Sequence, residues 1–305
     1  MSDANALDLY DPHAVAEILK AGAAANRSAE CRVASIDRIQ SPGTLIATGD
    51  LHDNPVHYAK LLQIAQLGND VLNGSSGPHI VLHELIHADK LTNGLDFSYR
   101  ALARVAQLKT RFPERVHALL ANHELAQVVG SGIVKDGVRV VDAFNEGVEY
   151  VFGDDAKVVE DAIAEFIFSM PLALRCITPK GDILCAHSLP SPMVMGRFDP
   201  DVLQRDLTSR DYEPLNGSAH LMVWGRRHDP ELLEDLVERW GISLFLLGHE
   251  KAETGAMLVP PNAVVLNSDH ERGVYLPIDL SDPPTAEEAI WSVVPLSSVP
   301  MPDVA

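Results

Sequence analysis

Apolar residues along the chain fall into short unbroken runs, separated by stretches in which they recur every third or fourth position. Ala14, Ile18, Ala21 and Ala25 share one face at helical spacing and predict a helical lead-in over residues 1–40. Thr44–Thr48 reads as a buried strand. Asn54-Pro55 then offers cap and first-turn chemistry for a helix carrying Leu61, Leu62, Ile64 and Ala65. His79–Leu82 reads as a second strand, and Leu102, Val105, Leu108 and Phe112 mark a helix ended by Pro113. A third strand is expected at Val116–Leu120 and a helix around Val158–Ile167. Further strands are expected at Asp182–Ala186, Ser243–Leu247 and Ala263–Leu266, with a helix at Pro230–Trp240. Alternation of this kind predicts one α/β catalytic domain over residues 41–280. The segment 281–305 holds five prolines and is expected to wrap irregularly.

Composition narrows the class. The 305 residues are 46% hydrophobic and 22% charged, as in ordinary globular chains. No apolar run approaches the roughly 18 residues of a membrane helix. The acidic Met1-Ser2-Asp3-Ala4-Asn5 lacks the basic and apolar regions of a secretory signal. A net charge of −19, from 43 acidic and 24 basic residues, argues against nucleic acid or an anionic membrane as partner. Cys31, Cys176 and Cys185 share no metal-type spacing, which fits a reducing, cytoplasmic setting.

The informative feature is where the strands stop. Five apolar runs end in polar clusters: Gly49-Asp50-Leu51-His52-Asp53-Asn54, His83-Glu84-Leu85-Ile86-His87, Ala121-Asn122-His123-Glu124, His187-Ser188 and Gly248-His249-Glu250. Ligands bind at the carboxyl ends of strands in α/β sheets. Any one cluster reads equally well as a loop or a helix cap; five together point to one metal site. Asp50 and His52, two apart in an extended segment, would point the same way. Oxygen and imidazole ligands without thiolate suit Mn, Fe or Zn. Two such ions roughly 3.5–4 Å apart can activate water and neutralise phosphoryl oxygens.

In order and content, the clusters GDLHDN (49–54), HELIH (83–87), ANHE (121–124), AHSLPSP (186–192) and LGHE (247–250) resemble the calcineurin-like metallophosphoesterases. Within these they most resemble the PPP serine/threonine phosphatases, bacterial and phage members included, whose pattern runs GDxHG, GDxxDRG, GNHE, HGG and a late histidine. Leu108-Lys109, Phe112–Val116, Met170–Ala173 and Val223–Arg226 extend the likeness over roughly residues 44 to 275. The resemblance implies a central β-sandwich flanked by helices, a four-layer α/β/β/α fold, and a phosphorylated protein or small molecule as substrate. It implies two metal ions, with Asp50 and His52 on the first, Asn122, His187 and His249 on the second, and Glu84 bridging. A metal-activated hydroxide would attack phosphorus, His123 would be the general acid and Arg226 would hold the phosphate.

Five departures stand out. Glu84 replaces an aspartate. His87 falls where the family has the aspartate that orients its catalytic histidine, so it can orient His123 or add a ligand. Ala88 and Leu120 replace phosphate-binding arginines. Lys90 or Arg100 can supply that charge, or be solvated surface cations. Ser188 replaces a glycine.

Two rival readings remain at this point. His83-Glu84-Leu85-Ile86-His87 is a literal HExxH, which on a helix makes a zinc metalloprotease. That leaves Asp50, His52, Asn122, His123, His187 and His249 unexplained. The lost arginines also fit a weak relative that binds metal or a phosphorylated ligand without turnover. His83 reads as a spacer, and His270 as a residue near the substrate. His13, His57, His79, His117, His220 and His228 read as core or surface.

Overall fold

The computed structural model describes residues 7–68, 76–135 and 137–302. Helix α1 (Pro12–Ser28) is capped by Asp11, whose side chain accepts from the backbone N–H groups of His13 and Ala14. Two short strands follow, β1 (Arg32–Val33) and β2 (Ile36–Gln40). Strand β3 (Thr44–Thr48) leads to α2 (Pro55–Ile64), started by Asn54 accepting from His57 N–H. Strand β4 (His79–Leu82) leads to α3 (Tyr99–Arg111), and β5 (Val116–Ala118) to α4 (Asn122–Val129). Strands β6 (Val134–Lys135) and β7 (Val138–Arg139) pair with each other ahead of α5 (Val140–Phe152) and α6 (Ala156–Ser169). The second half holds β8 (Ala173–Ile177), β9 (Asp182–Ala186), α7 (Ser218–Val223), α8 (Pro230–Trp240) and β10 (Ile242–Leu247). It ends with β11 (Ala256–Val259), β12 (Ala263–Leu266), β13 (Val274–Asp279), α9 (Ala286–Ser292) and β14 (Val294–Pro295).

Two large sheets form the sandwich. One runs β1-β2-β8-β9-β10-β12-β11 and the other β14-β13-β3-β4-β5. Period-two alternation explains how they stack. Leu45, Ala47, Val81, Leu276 and Ile278 of the smaller sheet meet Leu174, Cys176, Ile183, Cys185, Leu244, Leu246 and Val264 of the larger in one buried cluster. The intervening Ile46, Ile80, Leu82 and Val116 point the other way, into a core shared with α1, α3 and α6. Helix α8 covers β10 on the outer face of the larger sheet. Each fully buried Leu or Ile contributes roughly 1.5–3 kcal/mol.

Strands β3, β4 and β5 are parallel, as are β9, β10 and β12. Their carboxyl ends therefore gather on one edge. There Asp50 bridges by backbone to His83 of its own sheet and to Asn267 beyond β12 of the other. Gly49 makes this approach possible: a Cβ on it would lie 1.8 Å from the Leu266 carbonyl oxygen.

The structure departs from the sequence reading at both ends of the chain. The lead-in is helical only through α1; residues 32–40 are strands, and β2 pairs with β8 inside the larger sheet. The proline-bearing tail carries α9, which has a capping box at Thr285 and Glu288, and β14, which pairs with β13. Lys60 Nζ donates 2.8 Å to the Leu296 carbonyl and ties this tail to α2.

Candidate metal centre

Six of the expected ligands lie at the gathered strand ends and are buried: Asp50, His52, Glu84, Asn122, His187 and His249. Asp50 and His52 follow β3, Glu84 follows β4, His187 follows β9 and His249 follows β10, while Asn122 and His123 open α4. The local backbone is unusual. His52, Glu84, His87 and His249 sit at φ of 43°, 51°, 61° and 66°, in the left-handed region that non-glycine residues seldom occupy. Such strain collects where the surroundings over-determine a functional arrangement. Residues 83–87 thus form a strand end and an irregular turn, not a helix. The helical HExxH reading fails on this, because the two histidines share no helix face. The extended arrangement of Asp50 and His52 is corrected too: a left-handed turn at His52 and Asp53 brings the imidazole round.

Glu124 explains how the second cluster keeps its shape. Its Oε1 accepts from Leu85 N–H at 2.6 Å and Ile86 N–H at 3.3 Å. The loop carrying Glu84 therefore hangs on the first turn of α4. His52 is held in turn by Nδ1, 3.1 Å from the Ile86 carbonyl.

Two groups of ligand atoms result. His187 Nε2 lies 2.7 Å from Asn122 Oδ1, 3.0 Å from His249 Nδ1 and 3.1 Å from Glu84 Oε2. A ring nitrogen holds one proton at most, so three acceptors around it cannot all be satisfied. Glu84 Oε2 is buried with no hydrogen-bond donor among the described residues. Alongside, Glu84 Oε1 lies 3.4 Å from His52 Nε2 and 3.5 Å from His123 Nε2. Glu84 thus faces both groups with one oxygen each. Crowded acceptors without protons fit metal cations, and oxygen and nitrogen donors fit Mn, Fe or Zn.

The electrostatics agree. Burial, then the neighbouring Asp50 and Glu124 carboxylates, pushes Glu84 well above the usual range. Burial alone would raise Asp50 too, but the adjoining His83, His187 and His52 rings hold it well below that range. Burial, then the Arg226 charge, lowers His249 to about 3, and burial also holds His187 well below its ordinary value. Neutral imidazoles are the form that binds metal.

Two further histidines back the site. His87 Nδ1 lies 2.8 Å from His123 Nδ1, and its Nε2 lies 3.0 Å from Gln127 Oε1. His83, read from sequence as a spacer, lies with Nδ1 3.1 Å from His187 Nδ1 and Nε2 2.9 Å from the Thr48 carbonyl. The signal for His83 was its place at a strand end, one residue before Glu84.

The site opens into a cleft of about 900 Å³ lined by Asp50, His52, Glu84, Asn122, His123 and His249. Arg226 lines it too, and its guanidinium donates 2.9 Å to the His249 carbonyl. The other cations in the wall are Lys135, Lys251 and Arg272. Lys135, bonded to Asp89, comes from β6, which the sequence reading did not anticipate. Neither cation considered for the missing arginines lines this cleft. Lys90 is exposed elsewhere, and Arg100 lies over the rings of Tyr10, Phe97 and Tyr99 at 5.0–5.6 Å. His270 does line the cleft, with Nε2 3.2 Å from the Ala252 carbonyl. Ser188 Oγ donates 2.7 Å to the Gly225 carbonyl and anchors the loop before Arg226.

A separate buried cluster lies away from this site. Asp37 contacts Arg32, Lys109 and His117, with His117 Nδ1 at 2.8 Å and His79 behind it. The buried Lys109 and the half-buried Arg32 already balance this carboxylate, and the cluster reads as a core ion network. The sequence left His79 and His117 as core or surface residues; His117 is buried and His79 half-buried.

No family model matches the chain. Over 198 residues it is 27% identical to the serine/threonine-protein phosphatase PP2A-like PPG1 of Saccharomyces cerevisiae, a match covering 65% of this chain and 44% of that one. The chain thus spans less than half the length of the curated relative it matches. Among solved structures, a protein serine/threonine phosphatase of Saccharomyces cerevisiae with similarity to human phosphatase PP5 superposes with TM-score 0.64. It has 14% identity, over 88% of this chain and 83% of that one. The cold-active protein-tyrosine phosphatase of a psychrophilic Shewanella superposes with TM-score 0.56 and 15% identity, over 83% and 80%. In sequence the chain is thus similar to a PP2A-like serine/threonine-protein phosphatase, and it shares the fold of these two solved phosphatases.

Proposed function

We propose that the chain is a metal-dependent phosphoric ester hydrolase of PPP type, acting on phosphate monoesters, phosphoserine and phosphothreonine proteins among them. The observation that carries this is the convergence of Asp50, His52, Glu84, Asn122, His187 and His249 at one cleft that also presents His123 and Arg226.

In this reading Asp50, His52, Glu84, Asn122, His187 and His249 would hold two ions, each Mn, Fe or Zn, with Asp50 and His52 serving the first and Asn122, His187 and His249 the second. When bound, the pair supplies an activated water and positive charge for the phosphoryl oxygens. The chain supplies the rest. Arg226 orients the phosphate with the guanidinium nitrogens not spent on His249. His123, at the cleft wall, moves a proton at Nε2 to the leaving oxygen. Burial of the ligands excludes bulk water and strengthens each interaction. Three free, buried cysteines support a reducing compartment such as the cytoplasm. Among the described residues no helix is long and apolar enough to cross a membrane.

Metal analysis together with p-nitrophenyl phosphate hydrolysis tests the reading, on wild type and His123→Ala with added Mn, Fe or Zn. Two bound ions with turnover that falls about 10²–10⁴-fold in the variant is the expected result. Two bound ions and no hydrolysis with any metal would instead support a phospho-ligand-binding protein.

A further inference from the structure

Hydrogen-bond logic fixes more of the second ligand group than the ligands themselves show. A backbone carbonyl only accepts, so His83 Nε2, 2.9 Å from the Thr48 oxygen, carries a proton. In a neutral ring Nδ1 is then bare. That bare nitrogen lies 3.1 Å from His187 Nδ1, and two ring nitrogens at this distance share one proton. The proton therefore belongs to His187 Nδ1. Asp50 Oδ1, 3.4 Å from one Nδ1 and 3.5 Å from the other, sits beside this proton and favours it. His187 Nε2 is left with its lone pair, and it is the nitrogen turned toward Asn122, His249 and Glu84.

We propose that His83 is a positioning residue: it holds His187 as the Nδ1–H tautomer and thereby presents a bare Nε2 for the second ion. This rests on the metal-centre reading above. The partner bonded to one ring nitrogen decides which nitrogen a metal can take. Here the partner is a second imidazole, itself tied to the strand β3 backbone, so the orientation is set before any ion arrives. The packing is close around it. The two rings meet edge to face at 5.3 Å, and a Cβ on Gly248 would lie 2.3 Å from His83 Cε1.

Long-range ¹H–¹⁵N spectra of the ¹⁵N-histidine-labelled chain near neutral pH, in EDTA and then with zinc, test this directly. The expected pattern is His187 protonated at Nδ1 and His83 at Nε2 before zinc is added, with the His187 Nε2 resonance moving on loading. His83→Gln, whose amide oxygen can accept from His187, should keep the tautomer and bind the second zinc within about threefold of wild type. His83→Leu should lose the tautomer and weaken the second zinc by about 10–100-fold. A wild-type His187 carrying its proton on Nε2, a His83 protonated on both nitrogens, or a second zinc bound as tightly by His83→Leu would overturn the proposal. If that variant does not fold, the wild-type spectrum decides. The expected tautomers without any zinc binding would leave His83's role standing and remove the metal reading instead.

Discussion

His87 Nδ1 lies 2.8 Å from His123 Nδ1, where the PPP pattern places an aspartate. A carboxylate there would stabilise a protonated His123 by its charge; a neutral ring does not. Burial lowers His87 to about 4, and burial, then the crowding of the His52 and His87 rings, pushes His123 well below the usual histidine range. A general acid with a depressed pKa loses its proton as pH rises, so activity should fall on the alkaline side early. His87→Asp is expected to raise the His123 pKa and move the alkaline limb of kcat/KM up by about one pH unit or more. An unmoved limb in the pH profile would show that His123 is not the acid.

Arg226 carries two duties at once, because its guanidinium bonds the His249 carbonyl while lining the cleft. Arg226→Lys keeps the charge and loses the fork. The expected effect is a rise of about tenfold in the inhibition constant for inorganic phosphate, roughly 1.4 kcal/mol. Metal content should stay at wild type. Inhibition curves and elemental analysis of the same sample check both parts.

Removing the ions should expose the carboxylate problem at Glu84. Its pKa is raised by burial and by the Asp50 and Glu124 charges, so the ion-free centre takes up a proton there. Metal affinity should therefore weaken as pH falls, since the ligand form is the deprotonated one. Chelation should also lower the melting temperature, and an ion restored at about a hundred times its Kd should return about 2.7 kcal/mol. Calorimetry with EDTA and with Mn at several pH values measures both.

The network around Asp37 gives a pH dependence independent of the site. Burial and the facing His117 lower His79 from 6.5 to about 4, while Asp37, Glu114 and Arg115 face this histidine pair. Between those values the unfolded chain binds a proton that the folded chain does not. Stability attributable to His79 is thus full above pH 6.5 and is lost as pH falls toward 4. In the metal-free chain, His79→Phe preserves the stacking on His117, 5.4 Å away, and should flatten this slope in urea titrations.

Much of this was legible where one local rule decided the outcome. Apolar runs that stop at polar clusters located β3, β4, β5, β9 and β10, the apolar run at 263–266 located β12, and Asn54-Pro55 located the start of α2. The conformation at those strand ends was not legible. Nothing in His52, Glu84, His87 or His249 as residue types signals a left-handed backbone, which tertiary contacts such as Glu124 to Leu85 impose. Asn122 opens α4 behind Ala121, which offers no side-chain cap, so the start signal was missing. The strand at residues 36–40 depends on pairing with β8, more than a hundred residues on. Lys135 reached the cleft by the same kind of long-range placement.

The space that Gly248 leaves empty is filled from two sides, by the Asp50 carboxylate and the His83 ring, each 2.3 Å from where a Cβ would stand. Position 248 therefore sets how closely three strand ends can approach, at three distant points of the sequence. Shrinking residue 83 alone makes no room there, because Asp50 still occupies the volume. Any side chain at 248 should displace the Asp50 carboxylate, whatever residue stands at 83.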